Sequence, residues 1–343
     1  MPNAARPILL VGSIPLLSAD AVFTAVSAAV GDRVRRMPDG EIGERLNWIV
    51  WQGARFFDVP GLEVQGERHM RSERKARPQF GLAAGAAGGA LAFGPLGYAQ
   101  SAAEGYARFR ALRADGRIPA GVRFQVSLPT PFSVVYHFCV PEARRTVWPH
   151  YERRMREEVR EIAAAVPHED LAIQWDVCSE IVRVLEDPEM ASRYSAAELI
   201  EAVGRVAADV PERAELGFHL CYGDLGHQHT VEPRDTALLV DVANRLAGTV
   251  RRRIDWIHLP VPRGRSDEAY FTPLRGLALA PETELYLGLV HQTDGIDGAR
   301  RRMAAAAKVV PRFGVATECG FGRRPPETIP ELLALHRQIS DLA

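Results

Sequence analysis

The sequence predicts an α/β chain folded as a single (β/α)8 TIM barrel over residues 1–343, with an insertion after the second strand. Three observations predict it. Short apolar runs alternate with longer amphipathic stretches, the pattern of βα units around a parallel sheet. The length of 343 residues suits one barrel, which takes roughly 250 residues and tolerates insertions. Polar and reactive side chains gather at the C-terminal ends of the apolar runs, the rim on which barrel enzymes build their sites.

The predicted strands are Ile8–Ile14, Arg33–Pro38, Val122–Leu128, Leu171–Val177, Leu216–Cys221, Ile254–Leu259, Glu284–Val290 and Phe313–Cys319, each about the length of a barrel strand. Helical patterns lie between them, among them Trp148–Val166, Ala196–Val210 and Thr236–Val250. In the first, acids and bases interleave with Met155, Val159 and Ile162, as on an exposed outer helix. Residues 53–121 read as the insertion. Within it, 79–103 carries no charge and is mostly Gly and Ala with Pro95 inside, which predicts a flexible loop over the barrel mouth and not a membrane span.

Composition narrows the function classes. The chain is 47% hydrophobic and 25% charged, enough for a large core, and its net charge of −1 offers no electrostatic case for nucleic acid. The runs Arg251-Arg252-Arg253 and Arg300-Arg301-Arg302 read as solvated helix faces. The apolar start Ile8–Leu17 is broken by Gly12 and Pro15 and preceded only by Arg6, so it reads as a buried strand and not a signal peptide. Four widely spaced cysteines do not make a disulfide framework. A cytoplasmic protein with small-molecule substrates is expected.

The predicted strand ends read Gly12-Ser13, Asp39-Gly40-Glu41, Ser127, Asp176, His219-Leu220-Cys221, His258, His291 and Glu318-Cys319. His219 and Cys221 stand at i and i+2 on one strand, so their side chains share a face. Cys319 ends the last strand on the same rim. One imidazole and two thiolates suit Zn2+, whose sites are tetrahedral and rich in His and Cys. Cys139 and Cys178 have no comparable partners in the sequence and are assigned to packing.

These motifs, in this order, resemble the catalytic barrel of cobalamin-independent methionine synthase and its wider superfamily of zinc-dependent thiol methyl- and alkyltransferases. Val11-Gly12-Ser13-Ile14-Pro15 is similar to the family's opening Gly-Ser segment. Asp39-Gly40-Glu41 with Glu44-Arg45 and Asn47 is similar to its Gly-Glu-x-x-Glu-Arg-Asn run. Ile173-Gln174-Trp175-Asp176 resembles its Ile-Gln-x-Asp, His219-Leu220-Cys221-Tyr222 its His-x-Cys-Tyr zinc motif, and Glu318-Cys319-Gly320 with Arg323 its Asp-Cys-Gly segment. His291 falls where the family's seventh strand ends in His.

The resemblance implies a methyltransferase of methionine biosynthesis that activates a homocysteine-like thiol as a zinc thiolate for attack on an alkyl donor. It implies zinc on His219, Cys221 and Cys319, substrate binding by Ser13, Glu41 and Asp176 (Glu41 on the amino group), and proton transfer by Asp176 and His291. Three departures qualify this. The full enzyme of that family carries a second, N-terminal barrel, for which 343 residues leave no room. The acidic residue after the fourth-strand Asp is Val177 here, so methyl-folate is not the expected donor. The family's glutamate ligand falls at Pro260, which cannot bind metal. His258 shares the strand face of Pro260 and is the candidate fourth ligand, with His227 and His229 as competitors on a loop. Three alternatives stay open: an epoxide-opening thiol alkyltransferase of the same superfamily, a zinc-free barrel resembling uroporphyrinogen decarboxylase, and a non-catalytic zinc barrel that binds a ligand.

Overall fold

A computed structural model describes residues 5–68, 76–86, 91–223 and 229–342. Its centre is an all-parallel, seven-stranded curled sheet in the order β1 (Arg36–Pro38), β4 (Arg123–Pro129), β5 (Leu171–Val177), β6 (Glu215–Leu220), β7 (Trp256–Pro260), β8 (Glu284–Val290) and β9 (Gly314–Thr317). Each of the last seven predicted runs contains the core of one of these strands. Every residue of β5 and β7 is buried, as expected where helices cover one face and the sheet's own curl encloses the other.

The first run departs from the expectation. In place of a strand over Ile8–Ile14 there are single parallel bridges from Ile8 to Val34 and to Val315, next to the two edges of the sheet. Side chains take over from the ladder. The amide of Gln125 donates to the carbonyls of Leu10 and Val11, at 3.0 and 3.1 Å, and Ser127 and Gln174 also donate to Val11. A backbone whose carbonyls are satisfied from inside the curl need not continue a strand. A curled parallel sheet whose two edges both meet one segment is compatible with a TIM-like barrel.

The insertion is more ordered and shorter than 53–121. It holds α2 (Gly53–Phe57) and an antiparallel hairpin, β2 (Leu62–Arg68) and β3 (Arg77–Leu82). Then comes α3 (Tyr98–Ala114), which packs between α1 (Ala19–Val30) and α5 (Pro141–Ala165) as an ordinary outer helix. The expected flexible loop at 79–103 is therefore corrected. It begins in β3 and ends in α3, and residues 87–90 lie outside the described part. The start of α3 carries no local cap: Gly97 precedes it at φ 96°. Glu158 of α5 does the capping instead, its carboxylate accepting from the amides of Leu96 and Ala99, each at 2.6 Å. Among the described residues no helix is long and apolar enough to cross a membrane.

The remaining helices α4 (Pro131–Phe138), α6 (Pro188–Ala191), α7 (Ala196–Ala207), α8 (Ala237–Thr249), α9 (Glu268–Phe271), α10 (Gly295–Ala307) and α11 (Ile329–Ser340) fall in the connections between and after the strands. At the N-terminal end of the sheet Arg36, only 2% exposed, bonds Glu215 at 2.9 Å and Glu284 at 3.0 Å, with its guanidinium 4.2 Å above the Trp256 ring. This cation plugs the end opposite the reactive rim. Arg36→Met would leave two half-buried carboxylates facing one another. It is expected to cost about 3 kcal/mol in urea unfolding, whereas loss of the exposed Arg35, which also pairs with Glu284, should cost under about 1 kcal/mol.

Candidate metal centre and substrate pocket

His219 is the fifth residue of β6, Cys221 follows that strand directly, and Cys319 lies two residues beyond β9. Strands β7 and β8 stand between them. On a flat sheet three strand spacings would separate the two ends by about 14 Å. The curl instead brings one ligand atom from each of the three residues within 4.8 Å of the others. His219 and Cys221 are buried and Cys319 is partly exposed, so the cluster opens on one side.

The donor chemistry fits zinc. Nε2 of His219 is buried and accepts no hydrogen bond, while its Nδ1 lies 2.7 Å from Nδ1 of His258. Burial, reinforced by His258, holds His219 well below the usual histidine range, and burial pushes His258 down to about 3. Both rings are neutral, the form a metal requires. Cys221 is held well above its usual value, first by the neighbouring Cys178 thiol and then by burial, with Cys319 acting the other way. The amide of Gly223 points at its sulfur, 3.2 Å away.

Several expectations change here. His258 stands in register with His219 on the adjacent strand, but it is not part of the donor cluster. It spends Nδ1 on its neighbour and borders the centre as a second-layer partner. His229 likewise lies outside the three-donor group. It pairs with Glu318 at 3.2 Å, and Glu318 also faces His291 at 3.6 Å. His227 lies outside the described residues. Among the described residues no carboxylate joins the three donors. Cys178, assigned to packing from the sequence, lines the same cavity as Cys221 and Cys319 and sits against Cys221. The parallel register of the adjacent strands β5 and β6, which pairs Val177 with Leu220, brings it there, and nothing in the sequence spacing marks it.

The three donors line a cavity of about 90 Å³ together with Ser13, Glu41, Trp48 and Asp176. Glu41 and Trp48 are the only described non-glycine residues with positive φ, at 48° and 51°. Such strained backbone concentrates where a side chain must be aimed. The Glu41 amide is held by Asp39, which Arg45 grips in turn at 2.7 Å. The Glu41 carboxylate lies 2.2 Å from where a Cβ on residue 12 would sit, so any larger residue at Gly12 would displace that carboxylate. Burial, and then Asp176, lift Glu41 well above the usual carboxylate range. Burial lifts Asp176 to about 7 against hydrogen bonds from Gln174 and Trp48. Ser13 clamps the loop after Cys319, its carbonyl accepting from Phe321 at 2.7 Å and its hydroxyl from Gly322 at 3.2 Å. His291 lies beside the cavity, bonded to the carbonyl of Val261 at 2.9 Å, and burial holds it down at about 4.

The raised carboxyls tie stability to pH. A carboxyl whose folded pKa lies above its unfolded value stabilises fully at low pH, and that contribution is lost as pH rises through the folded value, here about 7 for Asp176. Asp176→Asn and Glu41→Gln cannot ionise. Each should match the parent below about pH 4 and exceed it near pH 8, by on the order of 1–4 kcal/mol for Asp176→Asn. Thermal melts of ligand-free protein across that range check the sign.

No family model and no curated protein sequence matches the chain. Solved structures match over nearly its whole length. A B12-independent methionine synthase from Shewanella sp. W3-18-1, in complex with selenomethionine, superposes with a TM-score of 0.63 at 14% identity, covering 99% of this chain and 98% of that one. A methyltransferase from Methanosarcina mazei superposes at 0.53 with 10% identity, covering 98% and 95%. At these identities the likeness is one of fold.

Proposed function

We propose that the chain is a single-domain, zinc-dependent methyl- or alkyltransferase that activates an amino thiol of the homocysteine type. The observation that carries this is the meeting of His219, Cys221 and Cys319 in a cavity that also holds the carboxyl groups of Glu41 and Asp176. His219 would bind through Nε2, and Cys221 and Cys319 through sulfur, with one position left for substrate. When bound, zinc would acidify the substrate thiol and hold its sulfur as the nucleophile. The fold shared with the two methyltransferases supports the same reading.

The chain's own residues would do the rest. With Nε2 of His219 reserved for metal, its Nδ1–H donates to Nδ1 of His258, which fixes tautomer and ring orientation. Burial and Asp176 raise Glu41 despite Arg45 and Arg323, and a substrate ammonium would supply the further positive charge that lets both carboxyls ionise. Ser13 would place the Cys319 loop against the substrate. His291, beside Glu318, is the candidate for proton transfer at the rim. A non-metal decarboxylase or a purely structural barrel would have no use for three converging N and S donors facing a cavity.

Purified protein should carry about one zinc per chain, lost in Cys221→Ser and Cys319→Ser; zinc-free parent, or undiminished zinc in those variants, would sink the proposal. His258→Ala should keep the site but weaken its zinc affinity about 10–100-fold. Glu41→Gln should leave zinc unchanged and weaken homocysteine binding about tenfold or more, at 1.4 kcal/mol per decade. Calorimetry with homocysteine and the amine-free 2-mercaptoethanesulfonate reads this. Tighter binding of the sulfonate, indifferent to Glu41→Gln, would favour the epoxide-opening alternative.

A further inference from the structure

Zinc sites are tetrahedral, and His219, Cys221 and Cys319 supply three of the four positions. The groups already placed do not offer the fourth. Pro260 has no donor side chain, His258 spends Nδ1 on His219, and His229 is paired with Glu318. One further soft donor lines the same cavity, the thiol of Cys178.

Two strands set its place. Val177 pairs with Leu220 in the parallel register of β5 and β6, so Cys178 and Cys221 follow the two strand ends side by side. The amide of Cys221 donates to the carbonyl of Val177 at 3.0 Å and ties those ends together. The chain then turns at once. The carbonyl of Cys178 accepts from the amides of both Ile181 and Val182, each at 3.0 Å, where a single π-helical turn begins, Ile181–Leu185. Such turns are rare and recur at functional sites. The next amide, of Ser179, donates to the hydroxyl of Ser133 at 3.2 Å. Cys178 therefore has a fixed backbone, is 7% exposed, and holds its thiol next to that of Cys221. It stands beside the three-donor group and not within it. Cys139, by contrast, is fully buried and is not part of the cavity wall.

We propose that Cys178 is an exchangeable fourth ligand, which closes the zinc sphere while no substrate is bound and gives its place to the substrate thiol. The proposal rests on the zinc reading above. Thiolates are soft ligands that suit zinc, and a cation held by two of them favours deprotonation of a third thiol alongside. The exchange balances. The bond from zinc to the sulfur of Cys178 breaks, a bond to the substrate sulfur forms, and the substrate's thiol proton passes to Cys178. Charge and sulfur count at the centre stay the same, and the proton stays in the cavity. A carboxylate ligand in that position, far less basic than a thiolate, would leave the proton to solvent.

X-ray absorption at the zinc edge counts the sulfurs in full-length, zinc-loaded protein. The parent should show about three both before and after homocysteine is added, and Cys178→Ser about two, rising to about three. Calorimetry in buffers of different ionisation enthalpy should find about one more proton released per homocysteine bound by Cys178→Ser than by the parent. Cys139→Ser should match the parent in both measurements. Cys178→Ala is the second variant should the serine fail to fold, and the parent's own sulfur count needs no variant. About two sulfurs in the substrate-free parent, a rise to about four with homocysteine, or equal counts in parent and variant overturns the exchange and leaves the zinc reading standing. A protein that takes up no zinc overturns both.

Discussion

Curl in a parallel sheet is the constraint on which the rest of this molecule depends. The candidate metal donors come from the end of β6 and from the loop after β9, with two strands between them. Their meeting needs a sheet bent until its C-terminal ends face one another. That bend is held at both ends of the interior. At the bottom Arg36 ties Glu215 to Glu284 under the Trp256 ring. Nearer the rim Gln125, Ser127 and Gln174 all reach the carbonyl of Val11. The polar interior therefore substitutes for strand pairing where the chain enters the fold, and it leaves the segment at Ser13 free to turn toward the Cys319 loop.

Above this frame the pocket is a set of electrostatic tensions that the ligand-free protein does not resolve alone. Glu41 and Asp176 are buried together and resist ionisation. His219 offers a buried nitrogen with no partner. Buried groups of this kind are costly when they stay unpaired. Positive φ at both Glu41 and Trp48 belongs to the same pattern. Strain there aims a carboxylate and an indole at one point, and the Asp39–Arg45 pair holds it in place.

Local sequence made part of the site legible. A period of two along a strand places His219 and Cys221 on one face whatever the tertiary fold, and an apolar run ending in Glu318-Cys319 announces a second reactive strand end. The same reasoning could not separate His258 from the three donors. It faces the interior as expected, but whether an inward histidine reaches a metal or its neighbour depends on a layer position that alternation does not encode. Cys178 was overlooked for a related reason. It lies beyond its strand, and its approach to Cys221 comes from the parallel register of β5 and β6. Helix α3 escaped notice because Glu158, about sixty residues downstream in sequence, supplies its cap.

By itself the sequence determined the alternation of strands and helices, the face each strand turns inward, and the chemical types that crowd the rim, since all three follow from short-range periodicity and composition. Tertiary structure alone decided which of those rim groups touch. It set the three-donor cluster apart from His258 and His229, gave the first segment side-chain partners in place of a ladder, and brought Cys178 against Cys221. The physical reason is distance. Contacts between residues far apart in sequence are fixed by sheet curl and loop path, and no local pattern specifies either.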